Sequence, residues 1–347
     1  MQAIADLPHS DLKEIIVRSE DIAYKLENSK ILISGSTGFI GTWLTKTLIL
    51  LDHTYDLGIQ LYLTSRDVES SRKKFKSFPK SKITFLEIDY LLQSKLPNID
   101  LSHIVFSSTP SQPSTGGNDD SYMERVSKNS FKSLAEITNS QERPPIFCNL
   151  SSGAIYGKKS LNQGPAAETL LPHDAADRDL DIYGRIKAEL ELEVEKLTET
   201  GQIQGVNPRL FAFSGPGISL DAHFAIGNFM NDALKGEEIK IKGNPNTKRS
   251  YLYPTDLIVW LLNTLVKPTL NPVHIGSENM ISLSELAHKI SAIFSSPGVS
   301  KGDNSADLSF YVPETSKTRK LMGVDEEVTL DDSLLRWKDW LTSEPRS

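Results

Sequence analysis

The sequence predicts an α/β protein: a doubly wound parallel sheet joined to a smaller C-terminal α/β unit. Two observations carry this. The run Ile31-Leu32-Ile33-Ser34-Gly35-Ser36-Thr37-Gly38-Phe39-Ile40-Gly41 sets three glycines at Gly-x-x-Gly-x-x-Gly spacing between an apolar β-type stretch and an apolar helical one. Beyond it, short apolar runs alternate with helical segments as far as residue 150. Strand–helix alternation of this kind builds a parallel sheet, and right-handed crossovers bring the carboxyl ends of its strands to one edge.

The elements follow in order. Residues 1–29 are polar, with Ile15, Ile16, Ile22 and Leu26 spaced for an amphipathic helical extension. Strands are expected at 31–34, 59–64, 83–88, 103–107 and 145–150, with helices at 40–51, 68–77 and 120–138. Asp177 to Leu197 reads as a long helix, and Asn207 to Phe213 as a strand ending in Ser214-Gly215-Pro216-Gly217. Residues 30–217 are thus read as one domain, to which 251–270 return as a strand edge and helix. The second domain takes 218–250, with a helix near 224–235 and a strand near 238–242, and 271–347. Ser282 and Glu285 form a capping box for a helix at 283–294, and Ser295 to Asp307 is a polar loop.

Composition narrows the function. The 347 residues carry a net charge of −7, which recommends neither nucleic acid nor an anionic membrane surface as partner. No stretch reaches the roughly 18–20 apolar residues of a membrane span. The single cysteine, Cys148, sits in an apolar strand and reads as a small buried hydrophobe. The seven histidines lack metal-ligand spacing, so no metal is expected. A reducing compartment fits the lone cysteine, and a cytoplasmic location is the expectation.

The motifs point to dinucleotide chemistry. Gly35 permits a tight turn, Gly38 a close backbone approach to a pyrophosphate, and Gly41 close packing of helix on strand. Thr37, Phe39 and Ile40 complete the turn, whose bare N–H groups face an anion. The second strand ends Leu63-Thr64-Ser65-Arg66. A hydroxyl and a guanidinium there suit a ribose 2′-phosphate, so NADP(H) is favoured; Asp67 would accept from a 2′-hydroxyl and favour NAD(H) if the strand ran one residue further. Tyr183 and Lys187 stand one helical turn apart, behind an apolar strand that ends at Ser151-Ser152. An ammonium beside a phenol favours the phenolate and draws it from its usual pKa near 10 toward neutrality, which suits acid–base work.

With these residues the chain resembles the extended short-chain dehydrogenase/reductase family, in its branch of nucleotide-sugar epimerases, dehydratases and reductases. The likeness runs through the glycine turn, Asp89, Asn129, Ser151-Ser152, Tyr156-Gly157, Tyr183 with Lys187, Arg209-Leu210-Phe211, the segment from His223 to Phe229, and Arg249 to Asp256. It implies a Rossmann-type fold, a nucleotide-diphosphate-sugar substrate and a homodimer, for which Ile182, Ile186, Leu190 and Leu192 offer apolar packing. It also implies roles: Ser152 as the catalytic hydroxyl, Tyr183 as acid/base and Lys187 as its electrostatic partner, with both of the last two on the cofactor. Asp89 would lie near the adenine, Arg249 on the diphosphate, Asn228 on phosphates or sugar, and Phe211 in the substrate site. Asn129 and Asp256 read as helix caps.

Departures from the family pattern sharpen the expectation. Relatives that dehydrate carry an acidic pair directly after the catalytic hydroxyl, and decarboxylating ones a glutamate; here Gly153 and Ala154 occupy those positions. What remains is reduction of a 4-keto-6-deoxy sugar or, alternatively, 4-epimerisation through a transient ketone. A non-catalytic NADP-binding sensor is disfavoured because Tyr183 and Lys187 are both kept. Ala212 replaces a frequent asparagine, and Phe106-Ser107-Ser108-Thr109-Pro110 stands where small apolar residues are usual.

Overall fold

The computed structural model describes residues 7–76, 82–92, 95–110, 120–169, 179–222 and 224–343. Its frame is a six-stranded parallel sheet. β1 (Lys30–Ser34), β2 (Gln60–Ser65), β3 (Lys82–Glu87), β4 (His103–Phe106), β5 (Ile146–Asn149) and β7 (Gln204–Val206) lie in the order β3-β2-β1-β4-β5-β7. The reversal between β1 and β4 opens a crevice at the carboxyl ends of these strands, the usual place for a ligand in such sheets. Ile31, Leu32 and Ile33 are all fully buried, as expected of a parallel strand covered on both faces.

Helices cover the two faces. α1 (His9–Arg18), α2 (Phe39–Tyr55) and α7 (Pro254–Val266) pack on one side with α3 (Val68–Lys74) beside them. α4 (Asp120–Thr138) and α5 (Ile182–Glu199) pack on the other. α7 is buried nearly all round, from Pro254 to Leu265, because its sequence is apolar on every face. Two small sheets complete the fold. β6 (Ser151–Ser152), β8 (Pro208–Leu210) and β10 (Val273–Ile275) run parallel in the order β10-β8-β6. β9 (Lys248–Arg249) lies between β11 (Ile281–Ser282) and β12 (Phe310–Tyr311). α6 (Ala225–Leu234) and α8 (Leu283–Phe294) pack with α10 (Leu330–Thr342) around Phe229, Ile290 and Trp337, while α9 (Ser316–Met322) follows β12.

Several local expectations change. The stretch 238–242 forms only an isolated bridge, Ile239 to Val299. Asp256 does not cap α7: it sits in the first turn, accepts from the N–H of Val328 at 3.0 Å and pairs with Arg18 at 2.7 Å. Asn129 lies in the middle of α4, where its amide donates to the Tyr90 carbonyl at 2.8 Å. Ile186 and Leu190 pack inward with Phe131 and Phe147, so they serve the subunit's own core rather than a partner. The outer positions of α4 and α5 are charged, and Lys128 bridges Glu124 and Glu189 across them. His223 and residues 77, 177 and 178, which the sequence reading included, lie outside the described residues. Among the described residues no helix is long and apolar enough to cross a membrane.

Candidate active site

A cleft of about 1410 Å³ opens above the carboxyl ends of β1, β2 and β4 and runs to the small sheet of β9 and β12. That exceeds the roughly 300–1,000 Å³ of a single small-molecule pocket and leaves room for two ligands side by side. Its lining includes every predicted site residue but one: Gly35 to Gly41 without Ser36, then Ser65, Arg66, Asp89, Ser152, Tyr183, Lys187, Phe211 and Arg249. Asn228 is the exception. It is half-buried in the first turn of α6 and is absent from the cleft wall, which Phe224, Ala225 and Ile226 supply instead.

The glycine turn is built for close approach. Gly35 adopts φ +72°, and a Cβ there would stand 2.5 Å from the Ser107 carbonyl oxygen. A Cβ on Gly41 would stand 2.2 Å from the Gly35 oxygen, so only glycine lets α2 begin this near the strand. Ser107 explains part of the unusual end of β4: its hydroxyl donates to the Ser34 carbonyl at 2.7 Å and its N–H to the Ser34 hydroxyl at 3.1 Å, tying β4 to β1. Ser108 and Thr109 line the cleft, and their buried Oγ and Oγ1 have no hydrogen-bond partner among the described residues. Buried hydroxyls of this kind are costly unless something polar meets them. A donor-rich turn and unmet hydroxyls in one crevice fit a dinucleotide.

At the far end of β2 the strand stops at Ser65, so Arg66 follows it directly. Asp67 is the N-cap of α3, its carboxylate accepting from the Ser70 N–H at 2.9 Å. Lys74 reaches back from α3 to the Thr37 carbonyl at 2.6 Å and lines the same end of the cleft.

Three side chains meet near the sheet's midpoint. Ser152 is extended, and its Oγ accepts from the Ala154 N–H at 3.1 Å. Asp181 caps α5 by accepting from the Gly184 N–H at 2.7 Å. A Cβ on Gly184 would stand 2.6 Å from the Ala154 carbonyl oxygen, so the bare glycine lets α5 bring Tyr183 close to Ser152. Lys187, one turn on, donates to the Leu150 carbonyl at 2.5 Å, and its ammonium lies 5.6 Å from the centre of the Tyr183 ring. Burial dominates both ionisations. It pushes the Tyr183 phenol up, although Ser152 opposes the shift, and it pulls Lys187 down to about 7 against the pull of Glu191. The expected net lowering of the phenol by its lysine is therefore absent from the protein alone, because desolvation outweighs the neighbouring charge.

Beneath the site lies a buried polar chain that the sequence did not disclose. Glu191, a turn beyond Lys187, accepts from the Ser151 hydroxyl and pairs with Arg209 at 2.8 Å. Arg209 also donates to the Tyr156 hydroxyl at 2.8 Å, and that hydroxyl meets His274 Nε2 at 2.5 Å. The i, i+4 spacing of Lys187 and Glu191 on one helix face was the available signal. Tyr311 is a second residue missed: its hydroxyl is 3.1 Å from Ser152 Oγ. Arg249, its neighbour across β9 and β12, donates to the Lys248 carbonyl at 2.8 Å and the Ser309 hydroxyl at 3.1 Å.

A parallel sheet with a glycine turn at its switch point and a serine, tyrosine and lysine in the adjoining cleft defines a dinucleotide-binding α/β protein of the extended short-chain dehydrogenase/reductase type. The chain belongs to the NAD dependent epimerase/dehydratase family, which it matches over residues 31–276. Among curated proteins it is similar to UDP-glucuronic acid decarboxylase 5 of Arabidopsis thaliana, 21% identical, with 88% of this chain and 87% of that one covered. Among solved structures it resembles an epimerase of Methanothermobacter thermautotrophicus, with a TM-score of 0.74, 17% identity and 96% of each chain covered. It also resembles the UDP-glucuronic acid 4-epimerase of Bacillus cereus in complex with UDP-glucuronic acid and NAD, with a TM-score of 0.70, 20% identity, and 90% and 98% covered. These structural likenesses establish the fold.

Proposed function

We propose that the protein is an NAD(P)-dependent oxidoreductase acting at C4 of a nucleotide-activated sugar, and that it reduces a 4-keto-6-deoxy sugar nucleotide. The observation that carries the reading is the convergence of Ser152, Tyr183 and Lys187 on one cleft above the glycine turn. The turn from Gly35 to Gly41, with Asp89, Lys187 and Tyr183, would hold the dinucleotide, and Arg249, Phe211 and the wall from Phe224 to Ile226 would hold the sugar nucleotide. The nicotinamide, when bound, would exchange a hydride with the sugar carbon. Ser152 would fix the carbonyl oxygen by a hydrogen bond, and Tyr183 would give that oxygen its proton. Lys187 would add positive charge beside the phenol as it ionises. Gly153 and Ala154 have no side chain that can transfer a proton, which argues against the elimination and decarboxylation of other branches; a Cβ on Gly153 would also stand 2.5 Å from the Phe211 ring.

NADP(H) is the proposed cofactor. Asp67 is engaged as a cap, while Arg66 and Lys74 bring two cations to the end of β2 where a 2′-phosphate would lie. The second reading is 4-epimerisation with tightly bound NAD, favoured by the likeness to the 4-epimerase of Bacillus cereus and its NAD.

The test is turnover of UDP-, GDP- and dTDP-linked 4-keto-6-deoxy sugars with NADPH and with NADH, followed at 340 nm. NADPH oxidation with at least one sugar is the expected result. Oxidation of neither cofactor, with NMR showing interconversion of C4 epimers when the corresponding 4-hydroxy sugar nucleotides are supplied with NAD, would establish the epimerase. Tight NADPH binding with neither activity would overturn both.

A further inference from the structure

Tyr311 has no role in the function proposed above, yet its hydroxyl reaches the reacting centre. β12 runs parallel to β9, with Tyr311 in register with Arg249. The Tyr311 ring packs against Phe211 with centroids 5.1 Å apart, and the Arg249 guanidinium lies 6.0 Å from its centre. Its hydroxyl is 3.1 Å from Ser152 Oγ and 3.4 Å from the Leu210 carbonyl. Tyr183 lines the same cleft wall, and Ser152 acts on its ionisation as well, so one serine hydroxyl serves two phenols.

We propose that Tyr183, Ser152 and Tyr311 form a three-hydroxyl proton relay, in which Tyr311 restores the proton that Tyr183 gives up. The inference rests on the reductase reading for its chemistry. When the sugar carbonyl becomes an alcohol, its oxygen takes the Tyr183 proton. Once that oxygen is an alcohol, the Ser152 O–H turns from it to the Tyr183 phenolate and gives up its proton there, and Ser152 takes that of Tyr311. One O–H bond breaks and one forms at each transfer, so the negative charge ends on Tyr311, which is half-buried in the cleft wall and regains its proton from water in the cleft.

The surroundings give this relay a direction. Burial raises both phenols. Tyr311 has three influences against that rise: the Ser152 hydroxyl, the Arg249 guanidinium and the Ala154 N–H. In the ligand-free protein Lys187, pulled down to about 7, has shed its charge before a phenol ionises, so Tyr183 has Ser152 alone on that side, with Tyr311 and Asp181 pushing it further up; Asp181 acts on Tyr311 too. The negative charge is better placed on Tyr311, beside the arginine, than on Tyr183. A phenylalanine would fill the same space against Phe211 and Arg249, so the hydroxyl is the part that packing leaves unexplained.

The experiment uses the full chain with tyrosines labelled at the ring Cζ. Resonances are assigned with Tyr183→Phe and Tyr311→Phe, and the ligand-free protein is titrated from pH 8 to 11. Because burial raises both phenols, Tyr311 is expected to begin moving only toward the top of this range while Tyr183 stays still. In turnover, Tyr311→Phe should lower kcat about a hundredfold, the low end for a lost proton transfer, with KM for the sugar nucleotide unchanged. The solvent-isotope proton inventory should pass from bowed in the wild type to linear in the variant. Tyr183 titrating first, or a variant with unchanged kcat and inventory, would overturn the relay. A wild type that turns over no keto sugar would count against the reductase reading, while the titration order still decides the relay's polarity.

Discussion

Replacing Lys187 with methionine should make the folded protein more stable at mildly acid pH while removing its activity. Lys187 is 3% exposed, and burial lowers its pKa from 10.5 to about 7. A displacement of about 3.5 units, at about 1.36 kcal/mol each, puts the cost of holding this charge in the fold at about 5 kcal/mol. Below pH 7 the ammonium is charged in both states and that cost is fully present. Methionine removes it, but it leaves the Leu150 carbonyl without its donor, a loss of about 1–3 kcal/mol. The net gain at pH 6 is thus about 2–4 kcal/mol. Between pH 7 and 9 the unfolded wild type keeps the lysine proton and the folded one sheds it. Stability rises with pH wherever the unfolded state binds more protons, so the wild type gains about 3 kcal/mol over this range. The variant gains nothing from this source, and its advantage should shrink to roughly zero by pH 9. Urea unfolding of both proteins at pH 6, 7, 8 and 9 reads the gap directly. A gap that does not change with pH, or a variant less stable at pH 6, would refute the reasoning.

Two further expectations concern packing. Gly41→Ala sets a Cβ 2.2 Å from a backbone oxygen, whereas Gly38→Ala meets nothing nearer than 3.4 Å; urea unfolding of the ligand-free proteins should show a loss of roughly 1–3 kcal/mol, that of an overpacked site, in the first and far less in the second. Arg209→Met strands the Glu191 carboxylate and should cost about 3–5 kcal/mol in urea, while Arg209→Met/Glu191→Gln should cost clearly less than the sum of the single changes. Additive costs would show that the pair does not act as a unit.

The fold was legible because its signals are local and repeated. The glycine turn, the apolar strands and the helix at Asp120–Thr138 follow from spacing and burial alone, and the capping box at Ser282 and Glu285 forms as read. The strands of three residues and fewer were harder. β7 and β10 are held by neighbours far along the chain, and a run so short has no periodicity to detect. Caps failed for the same reason: Asp256 had a plausible helix to begin, but Arg18, more than two hundred residues away, offered its carboxylate a better partner. At Ile186 and Leu190 of α5 periodicity marked a buried face but not what buries it, which is the subunit's own core.

By itself the sequence determined the fold family and singled out the groups proposed to react, because a glycine turn and a Tyr-x-x-x-Lys helix are short-range patterns. Only the tertiary structure decided what surrounds those groups. It placed Tyr311 of β12 against Ser152 of β6 and ran Arg209 under the site to Glu191. It also spent Asp67 on a helix cap and let burial outweigh charge at Tyr183 and Lys187. The physical reason is the same in each case. Hydrogen bonds and desolvation depend on distances across the fold, and residues 159 positions apart become neighbours only when the chain has closed on itself.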